Sequence, residues 1–166
     1  MKLTIGHLYP DLLNLYGDRG NIQCMMKRCQ WRGIDAETIE FTLEDSIDFS
    51  SLDIVLLGGG SDREQMLVCH KLRSIRQDFR DYVEDNGVVI SVCGGYQLLG
   101  HYYDTEEGRI EGLSLVDLHT EQGSPRLIDN IVLENSLFPH PIVGFENHGG
   151  RTYIGDNKPF GKVLYG

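Results

Sequence analysis

Apolar and polar positions alternate in blocks along the first hundred residues of the chain. Short apolar or alternating runs predict strands at residues 3–9, 37–41, 53–57 and 88–92. The run 53–57 is apolar after Asp53, which is typical of a strand that is covered on both faces, and the run 88–92 predicts a further buried strand. Helical spacing of apolar residues predicts helices at 21–32, after Ser61 and at 94–102. This alternation predicts a parallel sheet with helices on both faces.

The helix after Ser61 has the clearest start signal. Ser61 and Glu64 have the spacing of a capping box, in which two side chains satisfy the first backbone amides of a helix. The residues that follow carry one apolar stripe at helical spacing. A single helix is therefore predicted through Val68, Leu72, Ile75, Phe79 and Val83.

The pattern changes after residue 110. Shorter apolar segments separated by turn residues predict strands at 110–119, 130–134 and 142–145. We interpret them as an antiparallel extension of the sheet. No repeat and no linker rich in Pro, Gly or Ser divides the chain, so residues 1–166 are expected to form a single α/β domain.

Composition and charge exclude several classes of function. Of the 166 residues, 40% are hydrophobic, which argues against intrinsic disorder. The net charge of −10 argues against a nucleic acid or an anionic membrane as partner, since either would require a basic face. The apolar runs are too short to insert into a bilayer, and the first residues do not have the pattern of a signal peptide. A cytoplasmic location is expected.

Four cysteines are present, at positions 24, 29, 69 and 93. None forms a Cys-x-x-Cys pair or has zinc-ligand spacing, so no metal site is predicted. In a reducing compartment all four should be thiols.

Cys93 differs from the other three because of its neighbours. It follows the apolar run 88–92, precedes Gly94 and Gly95, and stands where a helix is predicted to begin. This is the arrangement of a nucleophile elbow, in which a sharp strand-to-helix turn presents the reactive side chain. A helix N-terminus also favours the thiolate over the thiol. The alternative is that Cys93 is a small buried apolar residue at a strand end.

A glycine-rich turn, residues 58–60, follows the predicted strand 53–57. Because parallel strands end at the same edge of a sheet, this turn should lie near Cys93. Its backbone amides could stabilise the anion of a tetrahedral intermediate, which requires two such donors. We expect one donor to be the amide of Gly59 or Gly60 and the other that of Gly94. A plain tight turn and a phosphate-binding loop are the alternatives.

Three segments carry a resemblance to a known family. Residues 57–65 (LGGGSDREQ), 93–100 (CGGYQLLG) and 144–152 (GFENHGGRT) resemble the cobyric acid synthase-type glutamine amidotransferases, a class I group with a flavodoxin-like, three-layer fold. Within that group, the chain is most similar to the amidotransferase subunit of bacterial lipid II isoglutaminyl synthase. The resemblance covers essentially the whole chain, including residues 9–21. The polar side chains of this segment should stand at the catalytic edge. The alternative is that Asp18 and Asn21 cap a helix.

The resemblance implies an enzyme subunit with a partner. The chain would hydrolyse L-glutamine and deliver ammonia to a Mur ligase-like subunit in a heterodimer. That partner would use ATP and Mg²⁺ to amidate D-glutamate of the lipid II stem peptide, whereas no cofactor is expected in the present subunit. Cys93 matches the family's nucleophile, and Gly59, Gly60 and Gly94 match its oxyanion region.

Two further implications concern Arg126 and the histidines. Arg126 falls where these subunits have an arginine near the glutamine site, and it could hold the substrate α-carboxylate; a surface arginine in a turn is the alternative. The family's catalytic histidine lies in a Tyr-Leu-His-Gly-like motif, which none of the six histidines here matches. The C-terminal part of the domain is therefore expected to be missing. This chain alone is expected to be weakly active or inactive. His148 is the one candidate substitute, although a role in its glycine-flanked loop is favoured.

Two other functions stay open at this stage. The chain could be a binding module that keeps the fold without catalysis and docks or regulates a ligase. It could also be a cysteine hydrolase or redox protein with the same elbow, which the Gly-Gly-Tyr-Gln continuation of Cys93 disfavours.

Overall fold

The computed structural model describes residues 2–15, 17–106 and 108–166. They fall into two compact units, one ending at Leu99 and one beginning at Gly100. The expectation of a single domain over residues 1–166 stays a prediction.

The first unit is built on a four-stranded parallel sheet. Its strands are β1 (Lys2–Leu8), β2 (Asp35–Phe41), β3 (Ile54–Leu57) and β4 (Val88–Ser91), in the order β2-β1-β3-β4. The parallel sheet predicted from the alternating blocks is confirmed. β4 is an edge strand in which Val88 is exposed and the other three residues are half-buried, so the prediction of a buried strand here is wrong. An edge strand has a neighbour on one side only and buries less of its surface.

Four helices accompany this sheet: α1 (Asp18–Trp31), α2 (Asp62–Ser74), α3 (Arg76–Glu84) and α4 (Gly94–Leu99), with a short 3-10 helix at Phe49–Ser51. The predicted capping box is confirmed, since the Ser61 hydroxyl accepts from the Glu64 amide while the Glu64 carboxylate accepts from that of Ser61. Leu98 of α4 and Val68 of α2 are fully buried.

The prediction of one continuous helix after Ser61 is wrong, because the chain breaks at Ile75 between α2 and α3. Ile75 has φ −114° and ψ 17°, outside helical geometry. The Ser74 hydroxyl donates to the Lys71 carbonyl at 2.6 Å, a local bond that competes with the helical hydrogen-bond ladder. After the break, Phe79 is still buried and stacks on Phe49, with ring centroids 4.9 Å apart.

The second unit is a five-stranded mixed sheet. Its strands are β5 (Tyr102–Thr105), β6 (Gly108–Glu111), β7 (His119–Glu134), β8 (Ile142–Tyr153) and β9 (Lys162–Tyr165). The order is β6-β5-β7-β8, with β9 also paired to β7. These strands hydrogen-bond among themselves, so the prediction that they extend the first sheet is wrong.

Several boundaries after residue 93 also differ from the sequence prediction. The helix predicted at 94–102 ends at Leu99, and the strand predicted at 110–119 stops at Glu111. The strands predicted at 130–134 and 142–145 are present but belong to the much longer β7 and β8. Both long strands are mostly exposed and rich in polar residues, so hydrophobic periodicity detects only their apolar ends.

Register fixes the position of the site within the first unit. Leu57, the last residue of β3, lies opposite Leu8 of β1 and opposite Ser91 of β4. The segments that leave β1, β3 and β4 therefore start side by side at the carboxyl edge of the sheet.

Candidate active site

Cys93 stands at a sharp bend between β4 and α4. Its φ is +54°, in the left-handed region that residues other than glycine rarely adopt. The Cys93 residue is exposed. A strained, exposed side chain at this type of bend is the geometry that the sequence predicted for a nucleophile elbow.

Gly94 and Gly95 make the bend possible because neither position has room for a side chain. A Cβ on Gly95 would stand 2.5 Å from the Gly58 carbonyl oxygen and 2.6 Å from that of Leu57. A Cβ on Gly94 would overlap the side-chain amide of Gln65. The two glycines bring α4 into direct contact with the end of β3 and with α2.

The turn of Gly58, Gly59 and Gly60 lies against this bend. The Gly95 N–H donates to the Gly58 carbonyl at 3.0 Å, and the Val92 N–H donates to the Leu57 carbonyl at the same distance. The structure therefore brings together Gly59, Gly60, Cys93 and Gly94, as the parallel-strand argument predicted.

Each carbonyl of the turn has a hydrogen-bond donor. Gly58 O accepts from Gly95, Gly59 O accepts from the Leu15 N–H at 3.0 Å, and Gly60 O accepts from Gln65 Nε2 at 2.7 Å. Three such bonds on three consecutive residues fix the orientation of the peptide planes in the turn.

The amides of the turn differ in whether their N–H group already donates a hydrogen bond. The Gly59 N–H donates to Asp18 Oδ2 at 3.3 Å. Within residues 2–15, 17–106 and 108–166, no acceptor engages the N–H of Gly60 or that of Gly94. One amide of the turn, that of Gly60, and the amide that directly follows Cys93 are thus both without an acceptor among these residues.

Asp18 lies at the edge where the polar residues of 9–21 were expected, whereas sequence reasoning did not identify Gln65 as a site residue. Asp18 was interpreted as a helix cap together with Asn21, but α1 begins at Asp18 after Gly17 and has no side-chain cap. Asp18 is fully buried and Gln65 is 3% exposed. No local signal marks Gln65, because it follows three other polar residues, Asp62, Arg63 and Glu64.

Two buried polar residues lie at the carboxyl end of β1 and directly after it. Tyr9 and His7 are fully buried, and neither the Tyr9 hydroxyl nor the His7 ring nitrogens have a hydrogen-bond partner among the described residues. Burial raises the pKa of Tyr9 to about 12. Burial also lowers the pKa of His7, against the opposing effect of Glu40 and Asp18. Tyr16 lies outside the described residues.

Arg126 belongs to the second unit. It sits in a bulge of β7, where the register to β8 shifts between Gln122 and Leu127. Its Nε donates to Asn147 Oδ1 at 2.6 Å and its Nη2 donates to the Asn147 carbonyl at 3.0 Å. The guanidinium group is exposed but held along one edge by a single residue.

His148 lies in β8, so the prediction that it occupies a loop is wrong. Its Nδ1 is 2.8 Å from the Gly150 carbonyl oxygen, and its Nε2 is 2.9 Å from Glu146 Oε2. Both ring nitrogens are engaged by neighbours within two residues, which supports a local structural role.

Two kinds of feature are absent from the described part of the chain. No helix there is long and apolar enough to cross a membrane. No group of three or more His, Cys, Asp or Glu side chains there is arranged to hold a metal ion.

Comparisons with known proteins agree on one family. A profile of the CobB/CobQ-like glutamine amidotransferase domain matches residues 4–166. The chain is 43% identical, over 166 residues, to the lipid II isoglutaminyl synthase (glutamine-hydrolyzing) subunit GatD of Staphylococcus aureus, and 40% identical over 168 residues to that of Streptococcus pneumoniae. Each alignment covers 99% of this chain, and it covers 68% and 65% of the respective relative.

More distant relatives share part of the chain. A cobyric acid synthase of Clostridium acetobutylicum is 28% identical over 131 residues, covering 73% of this chain and 26% of the relative. A crystal structure of a glutamine amidotransferase superposes with a TM-score of 0.52 at 15% identity, covering 85% of this chain and 69% of that one. The superposition confirms the predicted α/β fold class.

Proposed function

Because the chain belongs to the CobB/CobQ-like glutamine amidotransferase family, we propose that it acts by hydrolysing the side-chain amide of L-glutamine through a thioester on Cys93. The observation that supports this most directly is the exposed Cys93 at φ +54°, with the amides of Gly60 and Gly94 available beside it. A nucleophile and two converging amides are what acyl transfer requires.

The first step forms the thioester. The Cys93 thiolate attacks the amide carbon of glutamine, a C–S bond forms, and the π electrons of the carbonyl move onto its oxygen. When this oxyanion collapses, the C–N bond breaks, and the nitrogen leaves as ammonia with the proton that the thiol gave up. Water then attacks the thioester carbon, a proton of that water returns to sulfur, and glutamate is released.

The oxyanion of this intermediate would be stabilised by Gly60 and Gly94. Of the two turn glycines that the sequence offers, we favour Gly60, because the Gly59 N–H already donates to Asp18. An amide whose hydrogen is held by a carboxylate cannot also donate to the developing oxyanion without losing that bond. Such donors accelerate acyl transfer because they are oriented before the charge appears.

Arg126 would bind the α-carboxylate of glutamine. Its Nε and one hydrogen of Nη2 are used by Asn147, which leaves the Nη1–Nη2 end of the guanidinium for a bidentate contact. Holding that edge reduces the number of orientations that the side chain loses on binding.

The ammonia would be passed to a partner subunit. The two GatD relatives are subunits of a glutamine-hydrolyzing synthase, and we propose by analogy that this chain pairs with a Mur ligase-like subunit. That subunit would activate the α-carboxyl of D-glutamate in lipid II with ATP and Mg²⁺. The division of labour requires no cofactor in the present chain.

The experiment is a cysteine substitution in the full-length subunit together with its ligase partner. Cys93→Ala should reduce glutamine hydrolysis at least about a thousandfold, since no other group supplies the covalent step. Cys24→Ala is the matched control, because Cys24 is also exposed but lies in α1. Its activity should equal that of the wild type.

Added ammonium salt separates the two half-reactions. Product amidation by the Cys93→Ala complex should be restored by ammonia, because the partner performs the ligation. Glutaminase activity above a few per cent in Cys93→Ala would contradict the nucleophile assignment. Failure of ammonia to restore amidation would contradict the division of labour.

A further inference from the structure

A buried carboxylate lies directly behind the glycine turn. Asp18 is fully buried, its Oδ2 accepts the Gly59 N–H at 3.3 Å, and its Oδ1 has no hydrogen-bond partner among the described residues. Burial of a carboxylate with one oxygen unsatisfied is costly. Its position at the first residue of α1 offsets part of that cost, because the helix N-terminus carries partial positive charge.

Asp18 also packs closely against the turn. A Cβ built on Gly58 would be 2.6 Å from the Asp18 carboxyl carbon and 2.8 Å from Oδ2. The contact is therefore made with the backbone of two consecutive turn residues, Gly58 and Gly59. No side chain of the turn intervenes.

The bond to Gly59 fixes the first peptide plane of the turn. In a planar trans peptide the N–H and the C=O point in opposite directions. The Gly58 carbonyl accepts from Gly95 at the elbow, and the N–H of the same peptide, that of Gly59, donates to Asp18. Each end of this peptide is thus held, one by the elbow and one by the carboxylate.

The next peptide plane is held in the reverse sense. The Gly59 carbonyl accepts from the Leu15 N–H, in the segment that leads to Asp18. The N–H of that peptide, that of Gly60, consequently points away from Leu15. No described residue provides an acceptor for this Gly60 amide.

We propose that Asp18 is a positioning residue, whose carboxylate holds the Gly59 amide so that the Gly60 amide is directed at the oxyanion beside Cys93. The inference rests on the proposed glutaminase function. It assigns to Asp18 an effect on the transition state that is transmitted through one peptide plane, without contact with substrate. Loss of the acceptor should let the peptide rotate and leave the oxyanion with one fixed donor instead of two.

The test compares three substitutions in the full-length subunit with its partner. Asp18→Leu is similar in size and removes the acceptor, Asp18→Asn keeps an acceptor oxygen, and Asp78→Leu is the matched control. Asp78 also lies in the first turn of a helix, α3, but it is exposed and belongs to a different helix from Asp18. The measurements are kcat and KM for glutamine, the rate of Cys93 alkylation by iodoacetamide, and inhibition by the γ-semialdehyde of glutamate.

The aldehyde and the alkylating agent separate positioning from folding. The aldehyde forms a tetrahedral adduct on Cys93 and needs the oxyanion donors, whereas alkylation by iodoacetamide does not. Asp18→Leu should lower kcat by about 100-fold and weaken inhibition by the aldehyde by a similar factor. The KM for glutamine and the rate of Cys93 alkylation should stay within about threefold of the wild-type values. Asp18→Asn and Asp78→Leu should stay within about fivefold of the wild type in all four values.

Three results would overturn the proposal: an unchanged kcat in Asp18→Leu, an equal fall in the alkylation rate, or a loss in Asp18→Asn as large as in Asp18→Leu. If Asp18→Leu does not fold, Asp18→Ser takes its place, because the shorter serine side chain does not reach the Gly59 amide. The same three results, observed in Asp18→Ser, would then overturn the proposal. The Cys93→Ala variant keeps the two proposals apart. If Cys93→Ala is inactive and Asp18→Leu has wild-type glutaminase activity, only the positioning role of Asp18 is refuted. If Cys93→Ala is active, the proposed function is refuted.

Discussion

The backbone of Gly95 donates a hydrogen bond to the carbonyl oxygen of Gly58 at 3.0 Å, and this bond joins the bend that carries Cys93 to the glycine turn after β3. The two segments are far apart in sequence but start from aligned ends of neighbouring strands. The relative position of nucleophile and turn therefore depends on close backbone approach, which side chains larger than hydrogen would prevent.

Gly95→Ala tests that close approach. The added methyl would stand 2.5 Å from Gly58 O and 2.6 Å from Leu57 O, and backbone oxygens cannot move away without breaking the sheet edge. We expect a loss of stability of about 2–4 kcal/mol and loss of glutaminase activity. Urea unfolding and an activity assay would measure both.

Gly20→Ala is the control for that substitution. Gly20 lies in α1 and a Cβ there would meet nothing within 4 Å. Since alanine is the better helix former, stability should rise by about 0.5–1 kcal/mol with activity unchanged. Equal effects of the two substitutions would show that the contact between Gly95 and the turn is unimportant.

The loss of stability caused by Gly94→Ala should be relieved in part when the neighbouring side chain of Gln65 is shortened. The added methyl would overlap the side-chain amide of Gln65, which can be shortened, unlike the backbone that Gly95 meets. The double variant Gly94→Ala/Gln65→Ala should therefore be less destabilised than the sum of the two single variants. A double-mutant cycle by thermal or urea unfolding measures this coupling, expected at about 0.5–3 kcal/mol. Strict additivity would contradict the contact.

Asn147→Ala should weaken glutamine binding through Arg126. The variant removes the side-chain oxygen that accepts from Arg126 Nε at 2.6 Å, so the guanidinium keeps only the bond to the Asn147 backbone carbonyl and is held less firmly. KM for glutamine should rise severalfold with little change in kcat, and Arg126→Lys should raise KM further, because lysine cannot make a bidentate contact.

Arg109→Lys is the control for Arg126→Lys. Arg109 is paired with Asp104 in the β5–β6 hairpin, and its replacement should leave KM unchanged. If Arg109→Lys and Arg126→Lys had the same KM, the role assigned to Arg126 would be excluded.

His7 should make stability depend on pH. Burial lowers the pKa of this imidazole, so the unfolded chain binds a proton at pH values at which the folded protein does not. The free energy of unfolding should consequently fall as the pH drops below about 6.5, the ordinary value of histidine.

The variant His7→Leu should lose this contribution. Urea unfolding at pH 7.5 and at pH 5.5 would show a smaller decrease for His7→Leu than for the wild type, whereas His70→Leu, on an exposed position of α2, should behave as the wild type does. The same decrease in all three proteins would exclude His7 as its source.

Local patterns in the sequence were sufficient for much of the first unit. The strands β1, β3 and β4, the capping box of α2 and the bend at Cys93 each depend on a few adjacent residues, and the structure confirms them. Prediction was less successful in the second unit, where β7 and β8 are polar and mostly exposed. Their strand character comes from pairing with each other, which local periodicity does not report.

The sequence by itself determined which residue would be presented at a strained bend, because a cysteine followed by two glycines after an apolar run specifies that bend within one short segment. The tertiary structure decided which amides remain available beside it. Asp18 reaches the Gly59 N–H across 41 positions of sequence, and it does so because β1 and β3 pair in one register. A contact of that kind follows from strand pairing and burial, so no pattern along the chain could have revealed it.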